Sequence, residues 1–122
     1  MAERITSFKD LKTWQAAQDL AVTVYSVTKA FPDDERFGLT NQLRRAAVSI
    51  GSNIAEGFSR QGTREKRQFY YVAKGSLTEV ESQLDLACRI GYLEQPHLDN
   101  IAEDMQAVGK MLTSLIRTIP NS

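Results

Sequence analysis

Apolar positions recur every three or four residues in four stretches of the chain, and no stretch alternates as a half-buried strand would. The first stretch covers about residues 8–31, with Leu11, Trp14, Ala17, Ala21, Val24, Val27 and Phe31 on one face. Ser7, followed by Asp10, reads as a capping-box start. Phe31-Pro32 reads as the stop, because proline cannot continue a helix and disfavours helical backbone in the residue before it. The second stretch, about residues 36–58, carries two stripes side by side. Leu39, Leu43, Ala46, Ala47, Ile50 and Ile54 are apolar. Gln42, Arg45, Ser49, Asn53 and Glu56 form a polar stripe about 100° further round the helix. Gly51, in mid-helix, marks a bend or a close helix crossing, and residues 58–62 read as a loop. The third stretch, 63–90, turns Phe69, Ala73, Ser76, Leu77, Val80, Leu84 and Ala87 inward and stops at Gly91. The fourth, 96–119, opens at Pro96, a residue the first helical turn tolerates. Its Leu98, Ile101, Met105, Val108, Leu112, Leu115 and Ile119 alternate steps of three and four. Four helices of similar length with short connections predict one all-α domain over residues 1–122, an antiparallel up-down-up-down four-helix bundle.

Composition narrows the function more by exclusion than by assignment. The 122 residues are 42% hydrophobic, which suits one real core and excludes a disordered chain. The single cysteine, Cys88, has no internal disulfide partner and reads as a small, partly buried hydrophobe. The longest run without a charge is ten residues, 46–55, whereas a spanning helix needs about 20 apolar residues, so no membrane segment is expected. The opening residues, Met1 to Ser7, lack the apolar core of a secretory leader, so a cytoplasmic location is expected. One histidine, His97, sits beside Pro96 at a helix start, and no serine or cysteine gains a base from it. Glu94-x-x-His97 matches half of a carboxylate-bridged metal motif, but it occurs once and contains a proline. A non-enzyme with no cofactor, no metal and no small-molecule substrate is expected.

Net charge is zero, with 15 basic and 15 acidic residues, but the charges are segregated. Residues 36–74 hold eight basic residues against Glu56 and Glu65, a net of plus six. Residues 75–104 hold seven acids against Arg89, a net of minus six. Arg44, Arg45, Arg60, Arg64, Lys66 and Arg67 are therefore candidate contacts to RNA or DNA, with the aromatic run Phe69-Tyr70-Tyr71 close behind. The same asymmetry suits head-to-tail self-association into a closed ring, or docking of another protein. Tyr25, Phe37, Phe58, Tyr70, Tyr71 and Tyr92 are candidate exposed interface aromatics. The polar stripe of the second helix, Gln42, Arg45, Ser49, Asn53 and Glu56, is expected either to hydrogen-bond to a matching row of Ser76, Glu79 and Gln83 on the third, within or between subunits, or to stand as a solvated stripe.

Several of these residues also carry a likeness to a known family. Phe8-x-x-Leu11-x-x-Trp14, Phe31-Pro32-x-x-Glu35, Gln42-Leu43-Arg44-Arg45-Ala46-Ala47 and Asn53-Ile54-Ala55-Glu56-Gly57 are its marks, with Gly75-Ser76-Leu77-x-Glu79-x-Glu81 and Gly91-Tyr92-Leu93 beyond. Over about residues 8–93 the chain resembles the bacterial four-helix-bundle proteins encoded in intervening sequences of 23S ribosomal RNA genes, also labelled S23 ribosomal-protein-like. Gly51 departs from a position where that family often has proline. The resemblance implies a left-handed bundle assembled as a ring, typically a homopentamer. It further implies similarity to the accessory protein of diversity-generating retroelements, a basic pentameric barrel that binds nucleic acid and a reverse transcriptase. The neutral charge of this chain departs from that basic relative. The resemblance brings no catalytic residues. The expected function is a non-catalytic scaffold contacting RNA or a nucleoprotein. A protein-only module whose charge asymmetry serves ring assembly is second, and a metal- or cofactor-holding bundle third.

Overall fold

In the computed structural model residues 5–120 are described, so the expectation about a leader rests partly on residues outside them. Four helices account for most of the chain: α1 (Lys12–Thr28), α2 (Leu39–Ser59), α3 (Thr63–Arg89) and α4 (Gln95–Arg117). Among the described residues there is no strand. Each helix packs on two others, in the cyclic order α1–α2–α3–α4, with the α2–α3 seam the most extensive. Partner residues along that seam run in opposite directions: Gln42 meets Gln83, Ser49 meets Ser76, and Gly57 meets Tyr70.

The core is largely the one the periodicity marks. Leu39, Leu43, Ala46, Ala47, Ile50 and Ile54 of α2 are all buried, as are Ala73, Ser76, Leu77, Val80, Leu84 and Ala87 of α3. Ile101, Met105, Val108 and Leu112 complete it from α4. Leu20 joins from α1, three residues after Ala17 and four before Val24 though not named in the expected stripe, while Trp14 and Val27 are only partly buried.

The first helix differs most from expectation. Ser7 and Asp10 do form a reciprocal capping box, but it closes a 3-10 turn at Phe8–Asp10. Leu11 is then extended, with φ −73° and ψ 122°, and α1 begins at Lys12. The break lets Phe8 fold onto Trp14, ring centroids 5.1 Å apart and edge to face. In an unbroken helix, residues six apart point about 120° away from each other. At its other end α1 stops at Thr28, three residues short of Phe31. The Thr28 hydroxyl donates to the Val24 carbonyl at 2.8 Å, and Pro32 forbids a further turn. Gly51 does not break α2. It makes room, since a Cβ there would lie 2.5 Å from the Gln18 side-chain oxygen on α1.

Two loops at one end of the bundle are tied by a single carboxylate. Glu35 Oε1 accepts from the Leu39 amide at 3.1 Å, capping α2, while Glu35 Oε2 accepts from the Tyr92 hydroxyl at 2.9 Å. Tyr92 packs its ring on Phe31 with centroids 5.4 Å apart. Its phenol is pushed up, first by the hydrogen bond to Glu35. Gly91 supplies the turn: its φ of +90° ends α3, and the Tyr92 amide reaches back to the Ala87 carbonyl at 2.9 Å. The Phe31-x-x-x-Glu35 and Gly91-Tyr92 segments are thus two halves of one clasp.

At the opposite end of α2, Gly57 lies under the buried Tyr70 ring, and a Cβ there would be 2.7 Å from it. Alanine gains up to about 1 kcal/mol of helix propensity over glycine. Overpacking a closed contact costs about 1–3 kcal/mol. Gly57→Ala is therefore expected to lower the urea midpoint, and an unchanged or raised midpoint contradicts the contact. Burial also pushes the Tyr70 phenol up to about 12. The unfolded chain ionises near pH 10, so below that pH the group favours neither state. From pH 10 to 12 the unfolded state alone loses this proton, and stability falls. Tyr70→Phe is expected to flatten that alkaline fall in thermal melts.

Candidate functional site

The six basic positions marked by the sequence fall into two places with different occupations. At the α2–α3 turn, Lys66 donates from Nζ to the carbonyls of Gly57 and Phe58, each at 2.9 Å. It neutralises the C-terminal end of α2, where a cation is favoured by the helix dipole, and burial lowers its pKa. Arg67 donates to the Pro120 carbonyl at 3.0 Å, and Arg60 lies over the Phe69 ring at 4.9 Å. Arg64 is exposed and has no hydrogen bond or ion pair among the described residues. Three of these four cations are thus engaged with the chain itself.

The other place is a groove of about 680 Å³ between α1 and α2. Arg36, Arg44 and Arg45 line it, with Tyr25, Asn41 and Ser52 among the other wall residues and no acidic side chain. Arg44 Nε donates to the Thr28 hydroxyl at 2.9 Å and its guanidinium sits 4.7 Å over the Tyr25 ring. Arg36 lies 5.1 Å over Phe37, which is 84% exposed. Arg45 is exposed and makes no ion pair among the described residues. The sequence reading omitted Arg36 and Tyr25 from the basic site. Only the short turn between α1 and α2 brings them to Arg44 and Arg45, and residue spacing alone carries no sign of that.

Among the described residues, one ion pair forms, Arg89 with Asp85 at 2.7 Å, in an exposed i,i+4 arrangement. Both side chains are exposed to solvent, which screens the pair, so it adds little to stability. Its carboxylate also raises the pKa of the guanidinium, chiefly through the hydrogen bond. No ion pair joins the basic stretch 36–74 to the acidic stretch 75–104 among the described residues, although Lys74 and Glu81 line one groove.

Beside the arginine groove, across the outward ridge of α2, lies a polar groove of about 500 Å³ at the α2–α3 seam. Part of the expected side-chain network is present there. The Ser49 and Ser76 hydroxyls share a 2.8 Å hydrogen bond, and Gln83 Nε2 donates to Gln42 Oε1 at 3.3 Å. Asn53 Nδ2 turns back to Ser49 of its own helix, at 2.8 Å to the carbonyl and 2.9 Å to Oγ. Arg45 and Glu79 line the groove, but neither they nor Glu56 join the hydrogen-bonded row. Gln83 Oε1 is buried without a partner. Of the six aromatics expected outside, Tyr25, Phe37 and Tyr71 are exposed, and Phe58 and Tyr92 are partly buried. Tyr70 is a correction: it is 2% exposed, because Gly57 admits its ring into the seam. Cys88 is partly buried and His97 exposed. Among the described residues no three His, Cys, Asp or Glu side chains converge, and no helix is long and apolar enough to cross a membrane.

The unpaired amide oxygen gives a direct test. A buried acceptor without a partner costs about 1–3 kcal/mol. Gln83→Met is thus expected to raise stability by about 1 kcal/mol in urea unfolding. A fall of similar size would show that the lost Gln83–Gln42 hydrogen bond outweighs the unpaired oxygen.

No curated protein sequence matches the chain. A model of the 23S rRNA-intervening sequence protein family matches residues 9–114. The fold is similar to the crystal structure of a protein of unknown function from the S23 ribosomal protein family of Bacteroides thetaiotaomicron VPI-5482. The TM-score is 0.76 at 24% identity, over 85% of this chain and 97% of that one.

Proposed function

The chain belongs to the 23S rRNA-intervening sequence protein family, and on that premise we propose that it is a non-catalytic scaffold that assembles with copies of itself and holds RNA. The observation that carries this reading is the α1–α2 groove, where three arginines meet with no acid among the wall residues. Phosphate neutralisation needs such a surface. The segregation of charge supports self-assembly: the exposed Arg60 and Arg64 of the basic stretch 36–74 in one copy meet the acidic stretch 75–104 of the next, which leaves the α1–α2 groove open, and a contact of that kind closes a ring. Five copies is the form the family resemblance implies, and the cytoplasmic location is the one expected from the apolar-poor opening residues. The opposed pairing of α2 with α3 supports an antiparallel, up-down-up-down course for the whole bundle, and the left-handed course is what the family resemblance implies.

A second reading, a protein-only module, has its own observation. Val72, Leu86 and Ile90 of α3 are each nearly half exposed on one outward line, with Glu79 and Gln83 between them. That face suits a protein partner or a second copy.

The two readings separate in one set of measurements on the purified full chain. Binding of a single-stranded RNA should weaken with salt at a log–log slope of about −2 if three phosphates are neutralised, since each contributes about −0.7. Arg45→Glu should weaken it at least tenfold. No RNA binding at low salt, together with loss of assembly in Leu86→Lys by light scattering, would favour the protein-only module.

A further inference from the structure

Resting on that reading, we propose that the α1–α2 groove is built for an unpaired nucleotide of single-stranded RNA, its base on the Tyr25–Arg44 stack and its phosphates on Arg36 and Arg45. The stack is set in place before any ligand arrives. Arg44 is held from two sides, by the Thr28 hydroxyl at 2.9 Å and the Tyr25 carbonyl at 3.4 Å, while its guanidinium covers the Tyr25 ring. A platform ordered by the fold adds little ordering cost on binding. Tyr25 remains 41% exposed, so the stack is open to a further flat ring. Arg36 and Arg45 have no ion-pair partner among the described residues and flank it as phosphate contacts. Asn41 and Ser52 in the same wall offer donors and acceptors to a base edge.

The volume of about 680 Å³ lies within the range of about 300–1,000 Å³ typical of small-ligand sites. A duplex hides the faces of its bases and would use the arginines alone. An unpaired base uses ring and arginines together, and each base stacked on an aromatic side chain strengthens binding by about fivefold or more. Phe37, 84% exposed under Arg36, offers a second platform to the neighbouring nucleotide. The other cation-aromatic pairs on the basic side, Arg60 over Phe69 and Lys66 over Phe58 and Tyr70, lie at the turn where Lys66 and Arg67 are engaged with backbone carbonyls.

The test compares a labelled 12-nucleotide oligoadenylate with a 12-base-pair RNA duplex at equal salt, by fluorescence anisotropy on the full chain. The single strand should bind at least fivefold more tightly. Tyr25→Ala should lose at least fivefold on the single strand and Tyr25→Phe should retain binding, with far-ultraviolet dichroism showing both folded. Phe37→Ala, at a site too exposed to unfold the chain, should also weaken the single strand. Arg64→Glu should change it by less than twofold. Equal or tighter duplex binding overturns the proposal while leaving RNA binding intact. So does an unaffected Tyr25→Ala beside a weakened Arg64→Glu. Wild-type protein that binds neither RNA at low salt overturns this proposal and the reading beneath it together.

Discussion

Small side chains set the geometry of the α2–α3 seam, and the surfaces on either side follow from it. Gly57 admits the Tyr70 ring where any Cβ would collide, and Ser49 and Ser76 meet through a 2.8 Å hydrogen bond. The seam is the most extensive in the bundle. With one flank of α2 drawn onto α3 and another onto α1, its remaining flank faces outward as a ridge of Asn41, Arg45, Val48, Ser52 and Glu56. The two grooves lie on either side of that ridge. One is basic and carries an aromatic ring; the other is polar and ends at an unsatisfied amide.

Position within the fold then decides which cations remain available. Lysine and arginine near the end of a helix find its last carbonyls, and Lys66 does so at Gly57 and Phe58. Arg44 serves α1 similarly through Thr28 and Tyr25, but its guanidinium still forms a wall of the groove. Arg36 and Arg45 have no such duty. A run of charge that looks uniform along the chain is therefore divided into cations that hold the fold and cations that face outward.

The helices and their inner faces were legible because burial imposes a period of 3.6 residues, and α2 and α4 obey it closely. The boundaries were less so. The Leu11 break depends on the Phe8–Trp14 ring contact, and the early end of α1 on the Thr28 hydroxyl, both tertiary or local details that periodicity does not encode. Residues quoted for family likeness prove to be contacts between distant segments: Glu35 with Tyr92, Gly57 with Tyr70. Of the site, Arg44 and Arg45 were legible from charge. Tyr25 was visible only as an aromatic, since its place under Arg44 arises from the packing of α1 on α2.

The central claim is that the outward arginine groove, and not the basic turn between α2 and α3, is where RNA sits. Photocrosslinking with an oligonucleotide carrying 4-thiouridine, followed by peptide mapping, locates the contact without any substitution. Crosslinked peptides containing Tyr25 or Phe37 are the expected result. Adducts confined to residues 60–71, or none at low salt, would contradict it.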